Sequence, residues 1–254
     1  MFKENEMIVL KSPEEIAKMR ESNAIVAEIL EGLRDLVKPG ISTLELDKFA
    51  EETARSRGAL PAFKGYGGYP FSLCASVNSE VVHGFPSERN LEEGDIASLD
   101  FGVNYKGYFG DAAITLAVGK ISKKAARLLK VTEESLYRAI AKAKNGNRLG
   151  DISHAVQEYV EGAGFSVVRD YVGHGIGKNL HEDPAVPNFG SPGRGIVLKA
   201  GMVIAIEPMI NEGGYEVRVK EDGWTVITKD GGLSAHFEHT VAITEKGPEI
   251  LSKL

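Results

Sequence analysis

The sequence predicts an α+β fold assembled from two related helix–helix–strand halves. Three observations lead there. A pair of amphipathic helix patterns precedes a stretch of strands and loops; the same order recurs about 106 residues later; and the recurrence lands one acidic strand residue on another. The halves run over about residues 12–119 and 120–250, behind a short lead at residues 1–11, and together make a single domain.

The first helix opens at Ser12-Pro13-Glu14-Glu15, which supplies an N-cap serine, a proline at the first helical position and a glutamate at N3. Ile16, Met19, Ala24, Ile25, Ile29, Leu33 and Leu36 follow at helical spacing, and Pro39-Gly40 stops the run. A second helix begins near Ser42 or Thr43 and passes through Leu46, Phe49 and Ala50 to Gly58. From about Phe63 to Gly119, glycine, proline, asparagine and β-branched residues give strands and loops. A third helix is predicted over about Ser122–Lys144 and a fourth over about Asp151–Glu161, after which strands and glycine-rich loops continue to the end. A shift of about 106 overlays Gly40 on Gly146, Glu45 on Asp151, Leu46 on Ile152 and Gly58 on Gly164; a shift of about 107 overlays EGDIASLD on AGMVIAIE, and so Asp100 on Glu207.

Composition narrows the function classes. Of 254 residues, 43% are hydrophobic and 26% charged, as in ordinary globular domains. The net charge of −6 argues against direct nucleic-acid binding, and Lys123, Lys124, Arg127, Lys130, Lys142 and Lys144 read as a solvated helix face. Cys74 is the only cysteine, so no internal disulfide is expected. The N-terminus is too charged for a signal peptide, and no apolar run approaches the ~18 residues of a membrane span, which makes the cytoplasm the expected compartment.

Chemistry enters with the acids. Asp95–Phe101 reads as an interior strand, which buries Asp100. A two-residue turn at Tyr105-Lys106 would set Asp111 directly across a hairpin from Asp100, with Cβ atoms about 5 Å apart. Two like charges at that distance, out of water, are costly unless one is protonated or a cation lies between them. Glu207 ends the run Met202–Ile206, and Glu238 lies in the strand pattern 235–243; none of the four acids has a basic residue within its own strand core. His174, between Gly173 and Gly175 on a loop bare enough for close approach, suits a ligand. Four carboxylates balance two divalent cations, with a neutral imidazole filling a further position, and such oxygen-rich ligation suits Mn, Co, Fe or Zn.

The ordered set Asp100, Asp111, His174, Glu207 and Glu238, with GHGIG-x-x-x-HEDP, AIEPM and FEHT around the last three, strongly resembles the type I methionine aminopeptidases over nearly the whole chain. The resemblance implies the pita-bread fold, two pseudo-symmetric halves around a curved, mainly antiparallel sheet. It implies one metal on Asp100 and Asp111 and a second on Asp111, His174, Glu207 and Glu238, with Asp111 and Glu238 bridging. His83 in VVHGFP and His181 resemble the family's two non-ligand active-site histidines, and Tyr66, Tyr69, Cys74 and Trp224 its methionine pocket; Leu180 stands where the family carries an aromatic. The implied activity is removal of N-terminal methionine ahead of a small second residue. Water activated between the cations is the nucleophile, Glu207 the proton shuttle, His181 a partner of the carbonyl oxygen and His83 a partner near the scissile nitrogen. A monomer acting on nascent chains, with transient ribosome association, fits that activity. The alternatives are an X-Pro aminopeptidase or dipeptidase on the same fold, and a non-catalytic ribosome-binding relative. His154 and His236 are expected to be structural, and His239 to face away from its neighbour Glu238.

Overall fold

The computed structural model describes residues 8–253, so residues 1–7 of the expected lead lie outside the described residues. Four helices form where capping chemistry starts them. Helix α1 (Pro13–Leu36) and helix α2 (Thr43–Ser56) both open on capping boxes, Ser12 with Glu15 and Ser42 with Glu45. Ser122 accepts the Ala125 N–H to start α3 (Lys123–Ile140), which stops short of the expected Lys144. Helix α4 (Leu149–Gly162) begins two residues before Asp151, because Asp151 is its N3 residue and its carboxylate accepts the Arg148 N–H at 2.8 Å.

The repeat extends to single hydrogen bonds. Gly40 and Gly146 hold left-handed φ values of 95° and 91° and donate their N–H groups to Leu91 and Leu198 at 2.8 and 2.9 Å. Glu45 accepts the Ser42 N–H at 2.9 Å as Asp151 accepts that of Arg148. The overlaid glycines and acids are thus the residues that turn each half into its second helix.

The helices pack on one face of a nine-stranded sheet whose pairings are all antiparallel. Its four central strands run Ile96–Tyr105, Tyr108–Ala117, Glu238–Thr244, Val203–Ile206. That order is palindromic with respect to the two halves, two strands from the first and two from the second. Cys74–Val77 flanks one side, and Gly173–Gly175 with Glu182–Val186 the other. The seam between halves is short: Glu238 pairs with Ala113 and His239 with Ala112. Thr240 extends it, its Oγ1 donating to the Asp111 carbonyl at 2.8 Å and accepting the Asp111 N–H at 3.3 Å.

Strand alternation then sorts the side chains. Leu99, Phe101 and Leu116 pack with Ile29, Leu33 and Leu46 of α1 and α2, and Ile204, Ile206, Val241 and Ile243 pack with Leu128, Leu136, Ile152 and Val156 of α3 and α4. The intervening residues, including Asp100, Asp111, Glu207 and Glu238, go to the opposite face. His239, on the helix side, bonds Ser252 Oγ through Nδ1 at 2.8 Å, as strand alternation from Glu238 requires.

The hairpin register differs from the expected one. The turn is Lys106-Gly107, with φ values of 52° and 80°, and Tyr105 pairs with Tyr108. A tight hairpin of this kind needs positive φ at both central residues, and Gly107 meets that need inside the turn rather than beside it. Asp100 consequently faces Ala113 and Asp111 faces Gly102. The displacement is an even number of residues, so the two acids keep one face and become diagonal neighbours.

Helix α1 lies so close to this hairpin that a β-carbon at Gly110 would sit 2.9 Å from the Asn23 backbone nitrogen. Gly110→Ala is expected to cost about 1–3 kcal/mol through overpacking, seen as a lower urea midpoint; an unchanged midpoint would show that α1 can retreat from the sheet.

Candidate metal centre

The open face of the sheet holds a cavity of about 220 Å³ lined by Asp100, Asp111, His174, Glu207 and Glu238 together with His83, His181, Tyr66, Tyr69, Cys74, Trp224, Leu180 and Phe63. All eleven site residues read from the sequence therefore come together there. Asp111 and Glu238 are 4% and 2% exposed. The buried atoms Asp100 Oδ1, Asp111 Oδ1 and Glu238 Oε1 have no hydrogen-bond partner. Among the described residues, the only basic groups within 4.0 Å of these carboxylates are His174, at 3.6 Å from Glu207 and 4.0 Å from Asp111, and His236, at 3.7 Å from Glu207.

His174 is held ready to offer a lone pair. Its Nδ1 lies 2.8 Å from the Gly175 carbonyl. Only a ring N–H can make that bond, so the proton sits on Nδ1 and Nε2 is left bare toward the acids. Gly173-His174-Gly175 is a short strand rather than the expected loop. Its glycines admit sheet neighbours: a β-carbon would meet the Ala205 carbonyl oxygen at 2.3 Å from Gly173 and that of Asp183 at 2.2 Å from Gly175. One ligand atom each from Asp111, His174 and Glu238 lie within 4.8 Å of one another, as do those of Glu207, His236 and Glu238. Partnerless carboxylate oxygens beside a bare imidazole nitrogen fit divalent cations, which would supply the positive charge that the protein does not.

The acid–base state follows from burial. Desolvation drives the carboxyls of Asp100, Glu207 and Glu238 well above the usual carboxylate range, and their neighbouring acids push in the same direction. Asp111 is pushed up to about 7, again chiefly by burial, against the bond from the Ala112 N–H. Burial lowers His174 to about 3 and His83 to about 4, with His181 adding to both, and lowers His181 itself. The histidines are thus neutral, and the acids hold protons until a cation replaces them.

Beside the acids lies an apolar slot. Cys74, at the start of the Cys74–Val77 strand, pairs directly with Asp100 of the Ile96–Tyr105 strand, and its thiol is kept protonated by burial. Tyr69 donates to the Leu73 and Gly84 carbonyls and meets Trp224 edge-on at 5.3 Å. Leu180, 2% exposed, completes the wall. Tyr66 is 46% exposed and stands at the rim, its hydroxyl 2.7 Å from His181 Nδ1. His181 packs 4.2 Å from the His174 ring. His83 takes a left-handed φ of 59°, and at the next residue, Gly84, a β-carbon would stand 2.4 Å from the Ala75 carbonyl oxygen.

Two site residues escaped the sequence reading. Phe63 is one wall of the slot, and nothing in its local pattern separates it from any aromatic at a strand entrance. His236, expected to be structural, is 1% exposed with Nε2 partnerless against Glu207. Its position two residues before Glu238 on an adjoining strand was the available signal.

The model of metallopeptidase family M24 matches residues 17–245. A methionine aminopeptidase of Clostridium acetobutylicum is 56% identical over 97% of this chain and 99% of its own length. Methionine aminopeptidase 1 of Bacillus subtilis is 54% identical over 98% of this chain and 100% of its own. The crystal structure of a methionine aminopeptidase from Thermotoga maritima superposes with a TM-score of 0.96 at 51% identity, covering 98% of this chain and 100% of that one.

Because protons and cations compete for the same carboxylates, the gain in Tm on loading metal-free protein with Mn²⁺ is expected to be larger at pH 8 than at pH 5.5. About 2–4 °C corresponds to each 1 kcal/mol of linkage in a chain of this size. In weak buffer at pH 7, loading should release protons. Proton-free uptake with a pH-independent gain would contradict the described state of the acids.

Proposed function

The chain belongs to metallopeptidase family M24 and, within it, to the methionine aminopeptidases, and on that premise we propose how this metalloexopeptidase uses its site on the N-terminal methionine of peptides and nascent chains, ahead of a small second residue. The observation that carries the reading is the set of partnerless buried carboxylate oxygens beside a slot of side-chain size. Two divalent cations (Mn, Co, Fe or Zn) held by Asp100, Asp111, His174, Glu207 and Glu238, with Asp111 and Glu238 shared, would lower the pKa of a water molecule and polarise the scissile carbonyl.

The chain's own residues do the rest. The ionised Glu207 carboxylate, whose proton affinity burial raises, takes the proton of the attacking water and hands it to the departing amine. His181 Nδ1 lies 2.7 Å from the Tyr66 hydroxyl; accepting from that hydroxyl, the imidazole would carry its proton on Nε2 for the carbonyl oxygen as it gains charge. His83, neutral in its fixed turn, bonds near the scissile nitrogen. Tyr69, Cys74, Trp224 and Phe63 enclose the methionine side chain, with Leu180 giving an aliphatic patch. The Asp100 side receives the free α-amine, which restricts cleavage to chain ends. Among the described residues no helix is long and apolar enough to cross a membrane. A cytoplasmic monomer that visits the ribosome transiently suits the substrate.

Metal-free enzyme reloaded with Co²⁺, Mn²⁺ or Fe²⁺ is expected to hydrolyse Met-Ala-Ser well and Met-Pro or Ala-Pro peptides poorly. Preference for Ala-Pro would instead establish an X-Pro peptidase on the same fold. Glu207→Gln should keep the fold and lower kcat on the order of 10²–10⁴; near-native turnover in that variant would remove Glu207 from proton transfer.

A further inference from the structure

Lys11, the residue before the α1 N-cap, is buried in a way no other ion-paired cation is. Its side chain is 4% exposed and its Nζ lies 2.6 Å from Glu182 Oε2, itself 11% exposed. In every other Lys or Arg ion pair among the described residues the cation is at least 41% exposed. A buried pair of this kind adds little net stability over an apolar pair, because desolvation of both charges offsets their attraction. Its value lies in holding a geometry.

The geometry held is the turn that carries His181. Glu182 directly follows His181, and its second oxygen accepts the Asn179 N–H at 3.1 Å. Gly177 donates to the Asn179 carbonyl at 3.1 Å and accepts the Phe109 N–H at 2.8 Å. The turn is wrapped tightly round the ion pair: a β-carbon at Gly177 would lie 2.6 Å from Lys11 Cε and 2.7 Å from Glu182 Oε1. Lys11 is anchored in its turn by its own N–H, which donates to the Gly201 carbonyl at 2.7 Å, and by Nζ donating to Val9 at 3.1 Å. We propose that Lys11 is a positioning residue for the hydrolytic reaction, fixing residues 177–182 through Glu182 so that His181 meets the carbonyl oxygen in one place. This rests on the role given to His181 above.

Lys11→Met is expected to lower kcat on Met-Ala-Ser by about 10- to 100-fold, the cost of misplacing a group that acts in the transition state, with KM and metal content little changed. In an H181A background the same change should cost less than about twofold, since residues acting as one unit are not additive. Should Lys11→Met fail to fold, the pair K11M/E182Q, which leaves no unpaired buried charge, is expected to show the same kcat loss. Hydrogen exchange at the Gly177 and Phe109 amides should quicken by more than about tenfold in either variant while the Val203–Ile206 amides stay protected. Unchanged exchange at Gly177, wild-type kcat, or an undiminished loss in the H181A background would each overturn the assignment. Absence of any methionine cleavage by the wild-type protein would instead fail the functional reading, and exchange would still decide the tether.

Discussion

The structure is organised around the cost of burying four carboxylic acids with no lysine or arginine of the described residues beside them. Desolvation drives all four carboxyls upward, and neighbouring acids push Asp100, Glu207 and Glu238 further the same way. A protein can meet such a cost with protons, with cationic side chains or with metal ions. This one withholds the second option: among the described residues the only nearby bases are buried neutral histidines. What remains is a site whose charge balance has to come from outside the chain, and whose protonation and metal content are two faces of one equilibrium.

Nearly every feature of the fold can be read as serving that burial. Alternation along the central strands sends Leu99, Phe101, Val241 and Ile243 to the helices and the acids to the other face. The four helices seal the apolar side, and the glycines of the Gly173–Gly175 strand let the sheet close tightly around His174. Strands carry Asp100, Asp111 and Glu238, and Glu207 directly follows one, whereas loops carry His83 and His181, which line the cavity.

How much of this was legible in the sequence depended on how local the determining physics was. Capping boxes at Ser12 and Ser42 use side chains three residues apart, so the starts of α1 and α2 were readable at once. The acids were conspicuous because charge in an apolar strand is improbable without a partner. The hairpin register failed by a step, since assigning it required knowing which residues adopt positive φ, and Gly107 was taken as a flank. His236 and Phe63 were hidden for a different reason. Phe63 carries no local pattern that marks it, and His236 reaches Glu207 only through the tertiary placement of strand 234–236, its one signal being its place two residues before Glu238.

The palindromic strand order has a consequence beyond architecture. Each of the two outer central strands and each of the two inner ones brings an acid, so the row Asp100, Asp111, Glu238, Glu207 is nearly its own mirror image. A mirror cannot tell one end of a peptide from the other. The symmetry ends at the flanks, where one neighbouring strand presents a thiol beside Asp100 and the other an imidazole beside Glu207. Duplication supplied a symmetric ruler, and divergence at its two margins gave that ruler a zero.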